Sequence, residues 1–234
     1  FRSKIRNGGM MSRNEKFNLI IQLSVPSILA QVTTVLMFYI DAGMVGSLGA
    51  EPSAAIGLVE PATWLIFSLV SAVTMGFSVQ VAHFIGANDF PKARAVMRHG
   101  YVFGLCFSLL MLLIAFLIGP RLPIWLGGGT DIRHDAMVYF LIFSCITPFH
   151  LIEYMSGAML KVAGDMRRPS MMAILMCVLD VIFNYFLIFP TRTISLFGIE
   201  LTMPGFGAGV AGAALGSLLA FVCVALPLAY YAIF

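Results

Sequence analysis

Residues 171–189 read MMAILMCVLDVIFNYFLIF, an uninterrupted apolar run carrying one charge, Asp180. A helix of ~20 such residues crosses the ~30 Å hydrocarbon layer of a bilayer. Five more apolar stretches complete a set at about 18–45, 54–84, 95–119, 136–160, 169–190 and 209–233, each near or above that length. The chain is 60% hydrophobic and only 11% charged, whereas soluble domains carry about 25% charged residues. No soluble core holds this excess. Transmembrane β-strands alternate apolar and polar residues, so continuous runs exclude a barrel. The expectation is an all-α integral membrane protein, a bundle of six transmembrane helices spanning 17–234 behind a tail at 1–16.

The breaks between spans are polar or glycine-rich: LGAEPS, GANDFPKARAVMRHG, GPRLPIWLGGGTDIRHD, VAGDMRRP and, longest, PTRTISLFGIELTMPGFGAG. Basic residues divide unevenly among them. With the N-terminal end inside, 11 Lys and Arg lie in cytoplasmic segments, and only Arg121, Arg133 and Arg192 lie outside. The positive-inside rule then places both ends of this segment in the cytoplasm and the protein in a cytoplasmic (inner) membrane. The lipid bilayer is the first partner. The first residues, FRSKIRNGGMM, read as a truncated or shifted start, with Met10 or Met11 as alternatives. Trp125 marks a short interfacial segment in the third break.

Acids inside the spans carry the chemistry. A carboxylate at the centre of a membrane helix costs ~2.5–3.5 kcal/mol by the lower estimates, so folding alone does not call for one. Asp180 lies ~16 Å from the inner end of its span, and Asn184 is one turn (~6 Å) further out on the same face. Asp41 lies ~36 Å along the first span, in its outer part, beyond a bend expected at Pro26. These three side chains are expected to line one cavity opening outward. Their oxygens are the hard ligands Na⁺ requires, and a carboxyl group in low dielectric holds a proton readily. The coupling ion is therefore H⁺ or Na⁺, and no other metal or cofactor is called for.

Further polar groups are less decisive. Glu60, before Pro61, either joins that cavity or snorkels to the outer interface. His150, Glu153, Tyr154 and Gly157 share one helix face. His150 and Glu153 form either a proton-exchanging pair or an interhelical hydrogen-bonded one. Cys106, Cys145, Cys177 and Cys223 all fall within spans without CxxC spacing and read as packing residues. Phosphate-loop, HExxH and GxSxG motifs are absent, so nothing supports an enzyme or a nucleic-acid binder. GSLGAEPSAAIGL (46–58) echoes GFGAGVAGAALGS (205–217), and both runs of small residues suit close helix packing.

Several pieces together resemble one family. DAGMVGSLGAEPSAAIGL, GFSVQVAHFIGANDFPKARAVMRHG, KVAGDMRRPSMM and LDVIFNYFLIFP, followed by PGFGAGVAGAALGS, occur in the order and spacing of the multidrug and toxic compound extrusion (MATE) transporters. The resemblance implies an antiporter that exports small organic, often cationic compounds against H⁺ or Na⁺. It implies a V-shaped fold of twelve helices in two lobes, of which this chain is the first. The missing second six-helix lobe would lie in the same or another chain. Asp41 matches the family's first-helix acid. The fifth-helix Asn-x-x-x-Asp pair of some members stands here in reverse, as Asp180-x-x-x-Asn184, and the sixth-helix contribution falls near 211–217. Two alternatives stay open: a related lipid-linked saccharide flippase, and a six-helix assembly subunit that transports nothing.

Overall fold

The computed structural model describes residues 12–196 and 199–233. The tail at 1–16 falls largely outside them, and its last residues already belong to the first helix. That helix, α1 (Arg13–Gly46), opens with a capping box. Ser12 Oγ accepts from the Glu15 amide at 3.2 Å, and Glu15 Oε2 accepts from the Ser12 amide at 2.9 Å. Two free N–H groups of the first turn are satisfied in this way. Next come α2 (Ala50–Gly86), α3 (Phe90–Ile118), a single turn α4 (Leu122–Trp125), α5 (Thr130–Ser144), α6 (Thr147–Val162) and α7 (Arg167–Ile188). The strands β1 (Pro190–Leu196) and β2 (Ile199–Phe206) precede α8 (Gly209–Ile233). Among the described residues, five helices are long and apolar enough to cross a membrane, and α5 with α6 makes a sixth span bent by 41°.

That bend corrects the expectation of one helix over 136–160. Pro148 opens α6 and has no N–H to offer the Ser144 carbonyl, so an unbroken helix would leave that oxygen bare. Thr147 supplies the substitute: its hydroxyl donates to the Ser144 carbonyl at 2.6 Å. The hydroxyl of Ser144 in turn donates to the Phe140 carbonyl at 2.6 Å. Side chains thus serve the Ser144 and Phe140 carbonyls at the kink, as a break within a bilayer requires.

The longest break is not a plain loop. Thr193 pairs with Thr202, Ile194 with Leu201 and Ser195 with Glu200 in an antiparallel hairpin. Its base is tied to the helices beside it. The Gly207 amide donates to the Phe189 carbonyl at 3.0 Å, and Ala208 to Leu187 at 2.9 Å. Gly205 fits only because it has no side chain, since a methyl there would fall on the Phe189 carbonyl.

The two turns on the expected cytoplasmic side are built alike. Asn88 (φ 59°) and Gly164 (φ 83°) adopt the left-handed conformation, and each is followed by an aspartate. Asp89 accepts from the Lys92 amide at 3.2 Å, and Asp165 from the Arg167 amide at 3.1 Å, so each acid caps the next helix. Lys92 also pairs with Asp89 at 2.8 Å. Its hydrogen bonds hold the Asp89 carboxyl below the usual carboxylate range.

Glycines set how closely the helices approach. A methyl on Gly104 would come within 2.9 Å of Leu151, and one on Gly100 would strike Met155, so α3 lies tightly on α6. A core of Ala55, Val59, Ala115, Ala136 and Phe140, all at 0% exposure, joins α2, α3 and α5. By contrast Val32, Leu36 and Tyr39 of α1 are exposed, as are Leu113 and Leu117 of α3. Such a surface suits lipid or protein, not water.

Candidate cation site

α1 packs chiefly along α7, and α7 along α8. α1 and α7 run in the same sense between the two sides, with Asp41 near the end of one and Asn184 near the end of the other. The side chains meet. Asn184 Nδ2 donates to Asp41 Oδ1 at 2.9 Å and to Asp180 Oδ2 at 3.1 Å. Asp180 and Asn184 are each 1% exposed, and Asp41 is half-buried. One amide nitrogen thus spends both its hydrogens on two carboxyl groups from different helices. The chemistry fixes the sense of the amide: reversed, its oxygen would face two carboxylate oxygens.

Two residues complete the surroundings. Ser217 of α8 and Asp41 are polar neighbours of Asp180. Ser217 lies within 211–217, the stretch where the resemblance puts the sixth-span contribution. Tyr139 of α5 lies within electrostatic range of Asp41, Glu60 and Asp180. Nothing in the sequence singles it out, because an aromatic within an apolar run looks like packing. Two carboxyl groups and a nearby hydroxyl form a compact set of hard oxygens, bridged by the N–H groups of the amide. It can hold a proton between the acids or a small monovalent cation among them. Among the described residues, no group of three or more His, Cys, Asp and Glu is arranged to hold a metal ion.

The other polar residues of the spans stand apart. Glu60 is exposed and accepts from Trp64 Nε1 at 3.2 Å on its own helix. His150 Nε2 shares a hydrogen bond with Ser71 Oγ at 3.2 Å, and its Nδ1 is buried without a partner. Glu153 makes no hydrogen bond with His150, so the structure does not join this pair. His150 belongs instead to a column of rings. It stacks on Phe67 at 4.5 Å, Phe67 on Phe143 at 5.4 Å, and Phe143 on Tyr139 at 5.2 Å. Tyr154 continues the column at 5.7 Å. A cavity of about 350 Å³ at the outer end, lined by Leu48, Pro52, His134 and Asp135, includes none of these groups.

The MatE family model matches residues 26–186, well over half of the chain. The chain belongs to the MatE family. An FAD transporter of Shewanella oneidensis is 26% identical over 73% of this chain and 38% of its own length. A probable multidrug resistance protein NorM of Synechococcus is 33% identical over 48% of the chain and 24% of its own. Among solved structures, a multidrug resistance MATE family transporter of the MOP superfamily in an outward-facing conformation superposes with a TM-score of 0.79. It is 25% identical, over 91% of this chain and 44% of that one. The chain thus spans less than half the length of these MATE relatives. The likeness bears out the all-α membrane fold expected from the apolar runs.

Proposed function

We propose that this MATE chain, residues 17–234, forms the first lobe of a cation-coupled exporter of small organic compounds. Asp41, Asp180 and Asn184 take up the coupling H⁺ or Na⁺. The reading is carried by two carboxyl groups from different membrane helices sharing one amide nitrogen. With both acids ionised, their repulsion is offset by that shared donor and by Ser217 beside Asp180. A proton or Na⁺ relieves the repulsion and draws α1 against α7. Cargo that binds when the site is empty competes with the ion through the same charge. Such competition is the reciprocal coupling an antiporter needs.

The ring column from Tyr139 to Tyr154 favours flat aromatic cargo, and the nearby acids favour a positive one. Relatives named for FAD and for multidrug resistance show how far cargo varies among similar chains. The acid cluster contains no Lys or Arg to hold a pyrophosphate, which weighs against the saccharide flippase. The non-transporting assembly subunit has no use for a buried acid pair. A second six-helix lobe completes the exporter and lets the lobes rock around the site.

In this proposal the lobe sits in a cytoplasmic membrane with both ends of the segment inside. Reporter fusions after Ala87 and after Gly128 should then report opposite sides; a common side sinks the topology. For the site, Asp180→Asn in the full protein should abolish ethidium export driven by an imposed H⁺ or Na⁺ gradient while leaving the protein folded. Export at the wild-type level would refute the role of Asp180.

A further inference from the structure

Asn184 leaves one polar atom unserved. Its nitrogen is taken by the two acids, while its Oδ1 is buried and accepts no hydrogen bond. Against that oxygen lies the bare Cα of Gly216 on α8. A methyl built on Gly216 would land on Oδ1, and would come within 3.0 Å of Cγ and 2.9 Å of the backbone nitrogen of Asn184. The amide therefore occupies the volume that a side chain at 216 would claim. The Cα–H is a weak donor to the oxygen, worth less than an N–H.

We propose that Gly216 is a positioning residue of the cation site: its missing side chain lets the Asn184 amide lie far enough toward α8 to hold Asp41 and Asp180 together. The inference rests on the proposed function of those three residues. Displacing the amide along the α8-to-α1 direction, or rotating it, lengthens at least one of two bonds now at 2.9 and 3.1 Å. A hydrogen bond to a charged partner weakens steeply with such a change.

The fold supplies an internal control. Gly212 lies one turn earlier on the same face of α8 and is just as close to α7. A methyl on Gly212 would strike the Leu187 carbonyl, which is backbone, and touches nothing of the site. Both glycines permit the α7–α8 approach, and only Gly216 abuts the amide. If close packing were the whole story, substituting either would have the same consequence.

The test uses the full protein in proteoliposomes, with ethidium as cargo and imposed H⁺ or Na⁺ gradients. Export is measured against pH and against Na⁺ for wild type, Asp180→Asn, Gly212→Ala and Gly216→Ala, with thermal unfolding of each in detergent. Both glycine variants should unfold earlier than wild type. Only Gly216→Ala should move the midpoint of the driving cation, by about tenfold in concentration. Equal midpoints for Gly216→Ala and Gly212→Ala, with Asp180→Asn inactive, overturn the positioning role and leave the proposed function standing. Full export by Asp180→Asn overturns both. If Gly216→Ala does not fold, the double variant with Asn184→Ser decides. Shortening residue 184 removes the closest overlap, that with Oδ1, so better folding than Gly216→Ala alone supports the contact, and no improvement overturns it.

Discussion

Asn184 and His150 are both polar side chains set deep in one helical lobe, and they are held in opposite ways. Asn184 gives its hydrogens to two acids on two helices and keeps an oxygen against a glycine. His150 lies in a column of rings, with a single serine hydroxyl on one nitrogen. The first arrangement depends on charge and responds when a proton or cation neutralises one of its acids. The second depends on shape and would survive replacement by another flat ring. A buried polar residue in a membrane helix is therefore not a site by position alone. What distinguishes the two is whether the neighbours carry charge that the group must balance.

The comparison breaks most visibly at Asn184. Asn184→Leu removes the shared donor and leaves two acids facing each other in low dielectric. Coupled export should vanish, and unfolding in detergent should come earlier by about 1–3 kcal/mol. Unaltered ethidium export by this variant would put the two regions on the same footing. Phe140→Ala, in the apolar core joining α2, α3 and α5, should cost about 3 kcal/mol of stability. Its cation midpoint should stay at the wild-type value, which a titration of export against pH and Na⁺ checks. His150→Phe keeps the ring stack and discards the Ser71 bond. Its loss should be below ~1.5 kcal/mol, with an unchanged pH profile of export. A shifted profile would make His150 a proton carrier after all.

Asp89 gives the smallest effect. Lys92 holds its carboxyl below the usual range, so its capping contribution is complete above the ordinary carboxylate pKa and is lost as pH falls through the lowered value. Asp89→Asn should therefore unfold slightly earlier than wild type at neutral pH. Unfolding scans should converge in strong acid, and export should be unaffected.

Much of this is legible in the chain, because a strongly polar group within an apolar run is conspicuous. Asp41, Asp180 and Asn184 declare themselves that way, and rise per residue alone sets Asp41 in the outer part of its span and Asn184 outward of Asp180. Their meeting across a separation of 143 residues needs the packing of α1 on α7, which no local pattern encodes. The hairpin carries a signal of its own: TRTISL alternates and is rich in β-branched residues, the mark of a strand. The kink before α6 was likewise written in Pro148, which the length of the apolar run hides. Gly216 and Tyr139 are different. A glycine among small residues and a tyrosine among aromatics acquire meaning only from what faces them.

The hairpin between α7 and α8 also acts as a length gauge. Its base bonds, Gly207 to Phe189 and Ala208 to Leu187, fix where one helix ends and the next begins. Residues 184 and 216 are thereby indexed to each other like teeth on two meshed racks. A change in length beyond these bonds, farther along the hairpin, would leave both racks in step. One residue gained or lost between Asn184 and its base would shift every tooth beyond it, and glycine would no longer meet amide.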